Sequence, residues 1–170
     1  INALLSQTCG MALAKEYRSC FFRIYSSMAL KDNIQGSESY FIVEIKSLKR
    51  ILDAVNQDKT PVLCFVDEVL RGTNTVERIA ASSEILKNLN TGRALCFAAT
   101  HDIELTHMLE HLYSNYHFKE DVKDNDVIFN YRLYEGRAVS RNAIKLLGVL
   151  GYDENVITKA DETAKRFLDT

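Results

Sequence analysis

The sequence predicts an α/β fold built on a largely parallel sheet with flanking helices and an antiparallel β-hairpin. Three observations carry that prediction. Two apolar runs, 62–66 and 94–99, are too short for typical helices and stop abruptly in polar residues, and the first is rich in β-branched and aromatic side chains. A helix-length amphipathic stretch separates them, so a right-handed crossover makes the two strands parallel neighbours. Beyond residue 113 the chain alternates through YSNYHFKEDV and VIFNYRLYEG around a polar KDND, the pattern of a hairpin annexed to the sheet.

Composition narrows the possibilities. At 170 residues and 46% hydrophobic content the chain can bury a core, and one domain spanning 1–170 is expected. A net charge of −2 and a pI near 6.1 exclude an overall basic field, so the segment is not expected to be a main nucleic-acid grip. Cys9, Cys20, Cys64 and Cys96 are widely spaced with no CxxC, which points to a reducing compartment and away from zinc. Neither a membrane-length apolar run nor a signal peptide is visible in the sequence. The chain opens at Ile1 inside a helical pattern, as expected of a piece of a longer protein.

In order, residues 1–16 place Ile1, Leu4, Leu5, Cys9 and Leu13 near one helical face despite Gly10. CFFRIYSSMAL then reads as a strand over 19–28, and KDNIQGSES as a loop. A second helix over 39–55 carries Phe41, Ile45, Leu48, Ile51 and Leu52 as its apolar stripe. Gly36, Ser37 and Ser39 sit at its N-terminus, where backbone N–H groups suit an anion or the serines simply cap the helix. After the strand 62–66 comes a loop with Arg71, Gly72, Thr73 and Asn74, and a helix over 76–89 that Thr75 or Asn74 can cap. The buried strand 94–99 leads to Thr100, His101 and Asp102, then a short helix over 103–112 with His107 and His111 four apart but no evident third metal ligand. The hairpin, a loop over 137–140, and two helical segments, 141–150 and 154–168, divided by Gly151 and Tyr152 complete the chain.

The chemistry concentrates where strand 62–66 ends in Asp67 and Glu68. Adjacent acids at the carboxyl end of a buried parallel strand lie where open α/β sheets bind ligands. Such charges need a cation, hydrogen bonds or water. A Mg²⁺ carrying a nucleotide phosphate meets the need: one carboxylate holds the metal or its water shell while the other orients or deprotonates an attacking water. An apolar run followed by Asp-Glu is the Walker B pattern; a solvent-facing strand end capped by two acids is the plainer alternative. His101 is expected at the same sheet edge, touching a γ-phosphate, positioning a water, or making a structural hydrogen bond. A phosphate cradle of the GxxxxGK(S/T) type is absent: the seven glycines are followed by Met11, Ser37, Thr73, Arg93, Arg137, Val149 and Tyr152, never by Lys. The cradle is therefore expected upstream of Ile1.

Four ordered segments share a family likeness. DEVLRGTNT resembles the DExGRGTST signature of the MutS family of DNA mismatch-repair ATPases, ATHDIEL its ATHxxEL, GSESYFIVEI its STFxxEM segment, and SRNAIKLLGVLGYDENVITKA its C-terminal tail. The resemblance runs from about residue 19 to the end and implies a P-loop NTPase-like, ABC-type ATPase head whose dimer forms composite ATP sites. It implies Asp67 as the acid serving Mg²⁺ through water, Glu68 as catalytic base, His101 as a switch histidine near the γ-phosphate, and Ser39 as the serine reaching a nucleotide held by the opposite subunit. Thr73 and Asn74 fall in the segment that crosses the dimer interface. Leu70, Asn74 and Tyr40 depart from the family's usual Gly, Ser and Thr, leaving room for a divergent member with another DNA substrate. The implied partners are a second copy and DNA held by other domains, with no membrane, in a bacterial or archaeal cytoplasm near the nucleoid. A non-catalytic dimerisation module is the alternative; other ABC-type repair heads would need a coiled-coil insertion for which there is no room.

Overall fold

An unbroken apolar run, with Val62, Leu63, Cys64 and Val66 buried, makes β2 (Val62–Asp67) the middle strand of a three-stranded parallel sheet, in the order β1-β2-β3, where β1 is Arg23–Ser27 and β3 is Ala94–Ala99. The computed structural model describes residues 1–28, 40–57, 59–123, 126–138 and 143–168. They fall into two compact units, Ile1–Tyr113 and Ser114–Thr170. The register pairs Ile24 with Leu63 and Leu63 with Leu95, and Glu68 N–H donates to Ala99 O at 2.9 Å, extending the β2–β3 ladder to the first residue past the strand.

In the first unit α1 (Asn2–Cys9) is shorter than the helix expected over 1–16. Gly10 adopts φ 68°, a left-handed conformation that ends the helix and that glycine takes without a Cβ penalty. The Gln7 amide holds α1 to the chain entering β1: its Nε2 donates to Phe22 O at 3.0 Å, and Phe22 N–H donates to its Oε1 at 2.8 Å. The strand expected over 19–28 is confined to β1. Then α2 (Tyr40–Gln57), α3 (Thr75–Leu89) and α4 (Ile103–Met108) follow, α4 ending well short of the expected residue 112.

The core joins one face of the sheet to the helices. Val62, Cys64 and Val66 pack with Leu48, Ile51 and Val55 of α2, Leu86 and Leu89 of α3, and Leu105 and Leu109. Full burial of a side chain such as Ile51 or Leu89 contributes about 1.5–3 kcal/mol. Ile45, expected in the α2 stripe, is instead 40% exposed. The burial expected of the strand 94–99 also fails. β3 is an edge strand among the described residues, and Leu95 and Phe97 are 48% and 54% exposed. Phe97 stacks on Phe65 with centroids 5.4 Å apart, on the face opposite Cys64.

In the second unit β4 (Tyr116–Lys123) and β5 (Asp126–Glu135) pair antiparallel as a separate two-stranded sheet, rather than extending the three-stranded one as expected. A register shift between Phe118 and Glu120 bulges the hairpin, and Tyr131 there takes φ 52°. α5 (Ala143–Val149) and α6 (Glu154–Leu168) pack on each other, divided by Gly151 at φ 79°. No described helix is long and apolar enough to cross a membrane.

Candidate functional site

Parallel pairing of β2 and β3 brings their carboxyl ends to one rim, and with them Asp67, Glu68 and the turn holding His101. Asp67 closes β2 with its side chain exposed to solvent. Glu68 is mostly buried. Its backbone takes φ 50°, and its side chain, 15% exposed, sets Oε1 2.9 Å from His101 Nε2 while Oε2 meets Arg71 Nε. The His101 imidazole is otherwise open, with 91% of its side chain accessible. The arrangement is a carboxylate held from two sides beside a second, solvated carboxylate, and it can orient or accept a proton from a water at the rim.

The loop after Glu68 is shaped by a residue that the sequence did not assign to the site. Glu44 of α2 is 2% exposed, and its Oε1 accepts the Leu70 N–H at 2.5 Å. Burial pushes the Glu44 carboxyl above its ordinary value, opposed by the Leu70 and Arg71 backbone N–H groups and by the Arg71 charge. Leu70 itself adopts φ 60° with its side chain in the core. Ser82 Oγ donates to Val69 O at 3.2 Å, so α2 and α3 each hold one residue of the loop. A signal for Glu44 existed: Phe41, Glu44, Leu48, Ile51 and Val55 follow one another at spacings of three and four, which puts a carboxylate inside the apolar stripe.

Thr73 and Asn74 open α3. The Asn74 side chain accepts the Glu77 N–H at 3.0 Å as the N-cap, choosing between the two caps expected, and Thr73 Oγ1 donates to Glu77 Oε2 at 3.1 Å. Ser39, with Gly36 and Ser37, lies outside the described residues; Tyr40 begins α2. The structure thus joins Glu68 to His101, places Asp67 at the same strand end, and sets Thr73 and Asn74 at the start of the next helix. His107 Nδ1 lies 3.3 Å from Glu110 Oε2, and no group of three His, Cys, Asp or Glu suited to a metal occurs among the described residues. A second unassigned feature is the Arg78–Asp102 pair, bonded from Nε to Oδ2 at 2.9 Å and from a terminal nitrogen to Oδ1 at 2.6 Å. No local pattern announces it, because its partners are far apart in the chain.

The family model described as MutS domain V matches residues 1–168. The chain is 33% identical over 84% of its length to the DNA mismatch repair protein MutS of Natronomonas pharaonis, covering 17% of that protein. It is 29% identical over 81% of its length to DNA mismatch repair protein MutS 2 of Haloarcula marismortui, covering 15%, and 26% identical over 93% to the DNA mismatch repair protein MutS of Thermus aquaticus, covering 19%. The chain therefore spans less than a fifth of the length of these relatives.

Proposed function

The chain belongs to the MutS domain V family, and on that premise we propose that it is the ATP-hydrolysing part of a MutS-type mismatch-repair protein. Residues 1–170 form, in this reading, one partial P-loop NTPase-like, ABC-type head whose phosphate cradle is supplied from elsewhere in the polypeptide. The carrying observation is the contact of Glu68 Oε1 with His101 Nε2 at 2.9 Å, on the strand rim that also presents Asp67.

ATP bound with Mg²⁺ would supply the electrophilic phosphoryl group and the cation that offsets its charge. The donor set suits such a cation. A hydrated Mg²⁺ takes only one or two protein carboxylates, and Asp67 offers a solvated one. Glu68, steadied by Arg71 and His101, holds the water and takes its proton. His101, exposed on its far side, would contact the γ-phosphate. Ser39, Thr73 and Asn74 act toward a nucleotide held by a second copy, so the working unit is a dimer, and DNA is gripped by other parts of the cytoplasmic parent protein.

Glu68→Gln in the full-length protein tests the reading. Steady-state ATP hydrolysis is expected to fall by about 10²-fold or more, while equilibrium ATP binding stays near that of the parent. Undiminished turnover would remove Glu68 from this role, whereas a full-length parent that hydrolyses no ATP at all would favour a dimerisation module without catalysis.

A further inference from the structure

Resting on that reading, we infer that Arg78 and Asp102 are a positioning pair that sets His101 against Glu68, and so controls turnover without touching substrate. Asp102 directly follows His101 and is the N-cap residue of α4, yet its side chain makes no capping bond to that helix. Aspartate is among the best capping residues, and forgoing the cap requires a stronger competing partner. That partner is Arg78. Its fork meets both carboxylate oxygens, at 2.9 and 2.6 Å, in the bidentate geometry that fixes direction as well as distance.

The pair spans the site. Arg78 lies in the opening turn of α3, where its N–H donates to Asn74 O at 2.9 Å in the helix's first backbone bond. Asp102 lies in the turn after β3, where its own N–H donates to Thr100 Oγ1 at 3.0 Å. Between Thr100 and Asp102 sits His101, whose imidazole is 91% accessible and is held by the Glu68 contact rather than by packing. With so little packing around it, the ring meets Glu68 only where its backbone is held in reach. That backbone is pinned on one side to α3, the helix that begins at Thr73 and Asn74, so movement of the α3 N-terminus reaches His101 through the Arg78 fork. Both side chains keep some solvent contact, at 24% and 17%, so each can be replaced without opening the core.

The test uses the full-length protein and reads ATP hydrolysis with Mg²⁺ together with hydrogen exchange of the segment 100–106. Arg78→Ala and Asp102→Asn are each expected to lower kcat by about tenfold with KM for ATP within about twofold, and to speed exchange of that segment. The exchanged pair, Arg78→Asp with Asp102→Arg, is expected to recover most of both losses, a coupling that independent sites do not show. Single variants with kcat near that of the parent overturn the inference alone, provided Glu68→Gln abolishes turnover. A kcat loss that the exchanged pair does not recover, or that comes with an equal shift in KM, also overturns it. A parent protein, or a Glu68→Gln variant, that fails to behave as described above overturns the reading of the site and this inference with it.

Discussion

Glu44 Oε1 sits 2.5 Å from the amide nitrogen of Leu70, joining the buried face of α2 to a left-handed residue in the loop that follows Glu68. A carboxylate with 2% exposure is an unusual tenant of an apolar helix face. Its use is to satisfy a loop amide that neither helix nor sheet reaches. The bond makes the backbone downstream of Glu68 a property of α2 as much as of the loop.

Removing that acceptor should be costly. Glu44→Ala leaves the Leu70 N–H buried without its partner, and urea unfolding is expected to show a loss of about 1–3 kcal/mol. Glu44→Gln retains an acceptor oxygen and is expected to differ from the parent mainly in pH dependence. Burial raises the Glu44 carboxyl above its ordinary 4.5 in the fold, so between that value and the raised one the native state binds more protons than the unfolded chain. Stability contributed here is present at low pH and is lost as pH rises through the folded value. The parent-minus-Gln difference should therefore move against the parent with rising pH; movement in its favour would contradict the assignment.

Leu70 combines φ 60° with 5% exposure, so two effects compete on substitution. Leu70→Ala loses core packing at about 2–5 kcal/mol and keeps the strained backbone. Leu70→Gly loses slightly more packing but relieves a left-handed conformation worth roughly 1–2 kcal/mol. Gly is expected to match or exceed Ala in denaturant midpoint, the reverse of the order at an ordinary helix or strand position. Gly clearly below Ala would show that the strain is not there.

The cap of α3 is separable from any role of Asn74 toward nucleotide. Asn74→Ala should cost about 1 kcal/mol through loss of the Glu77 N–H bond, while Asn74→Asp or Asn74→Ser should hold stability. Thermal unfolding reads the cap, and ATP turnover in the full-length protein reads the second role. Loss of turnover in Asn74→Ser at parental stability would assign the amide to the site itself.

Gly72 is a contact point between the loop and the first turn of α2. A Cβ there would lie 3.0 Å from Phe41 Cβ and 3.2 Å from its Cδ2. Gly72→Ala is expected to destabilise by about 1–3 kcal/mol, since a side chain rooted on a helix backbone yields little. Gly92, with nothing within 4 Å of the same atom, is the control, and Gly92→Ala should be near neutral.

By itself the sequence determined what depends on neighbours along the chain. Short apolar runs ending in polar residues read as strands, the helix between them imposed parallel pairing, and the acids at 67 and 68 marked the strand end, because periodicity and strand handedness are local properties. The cap of α3 was also legible, down to a choice between two residues. Tertiary structure alone decided that α1 stops at Gly10, that β3 presents Leu95 and Phe97 to solvent, and that the hairpin forms its own sheet. It alone paired Glu44 with Leu70, Arg78 with Asp102, and Glu68 with His101. Each of those pairs joins residues at least two dozen positions apart, and their meeting is set by how helices pack on the sheet, which no run of neighbouring letters encodes.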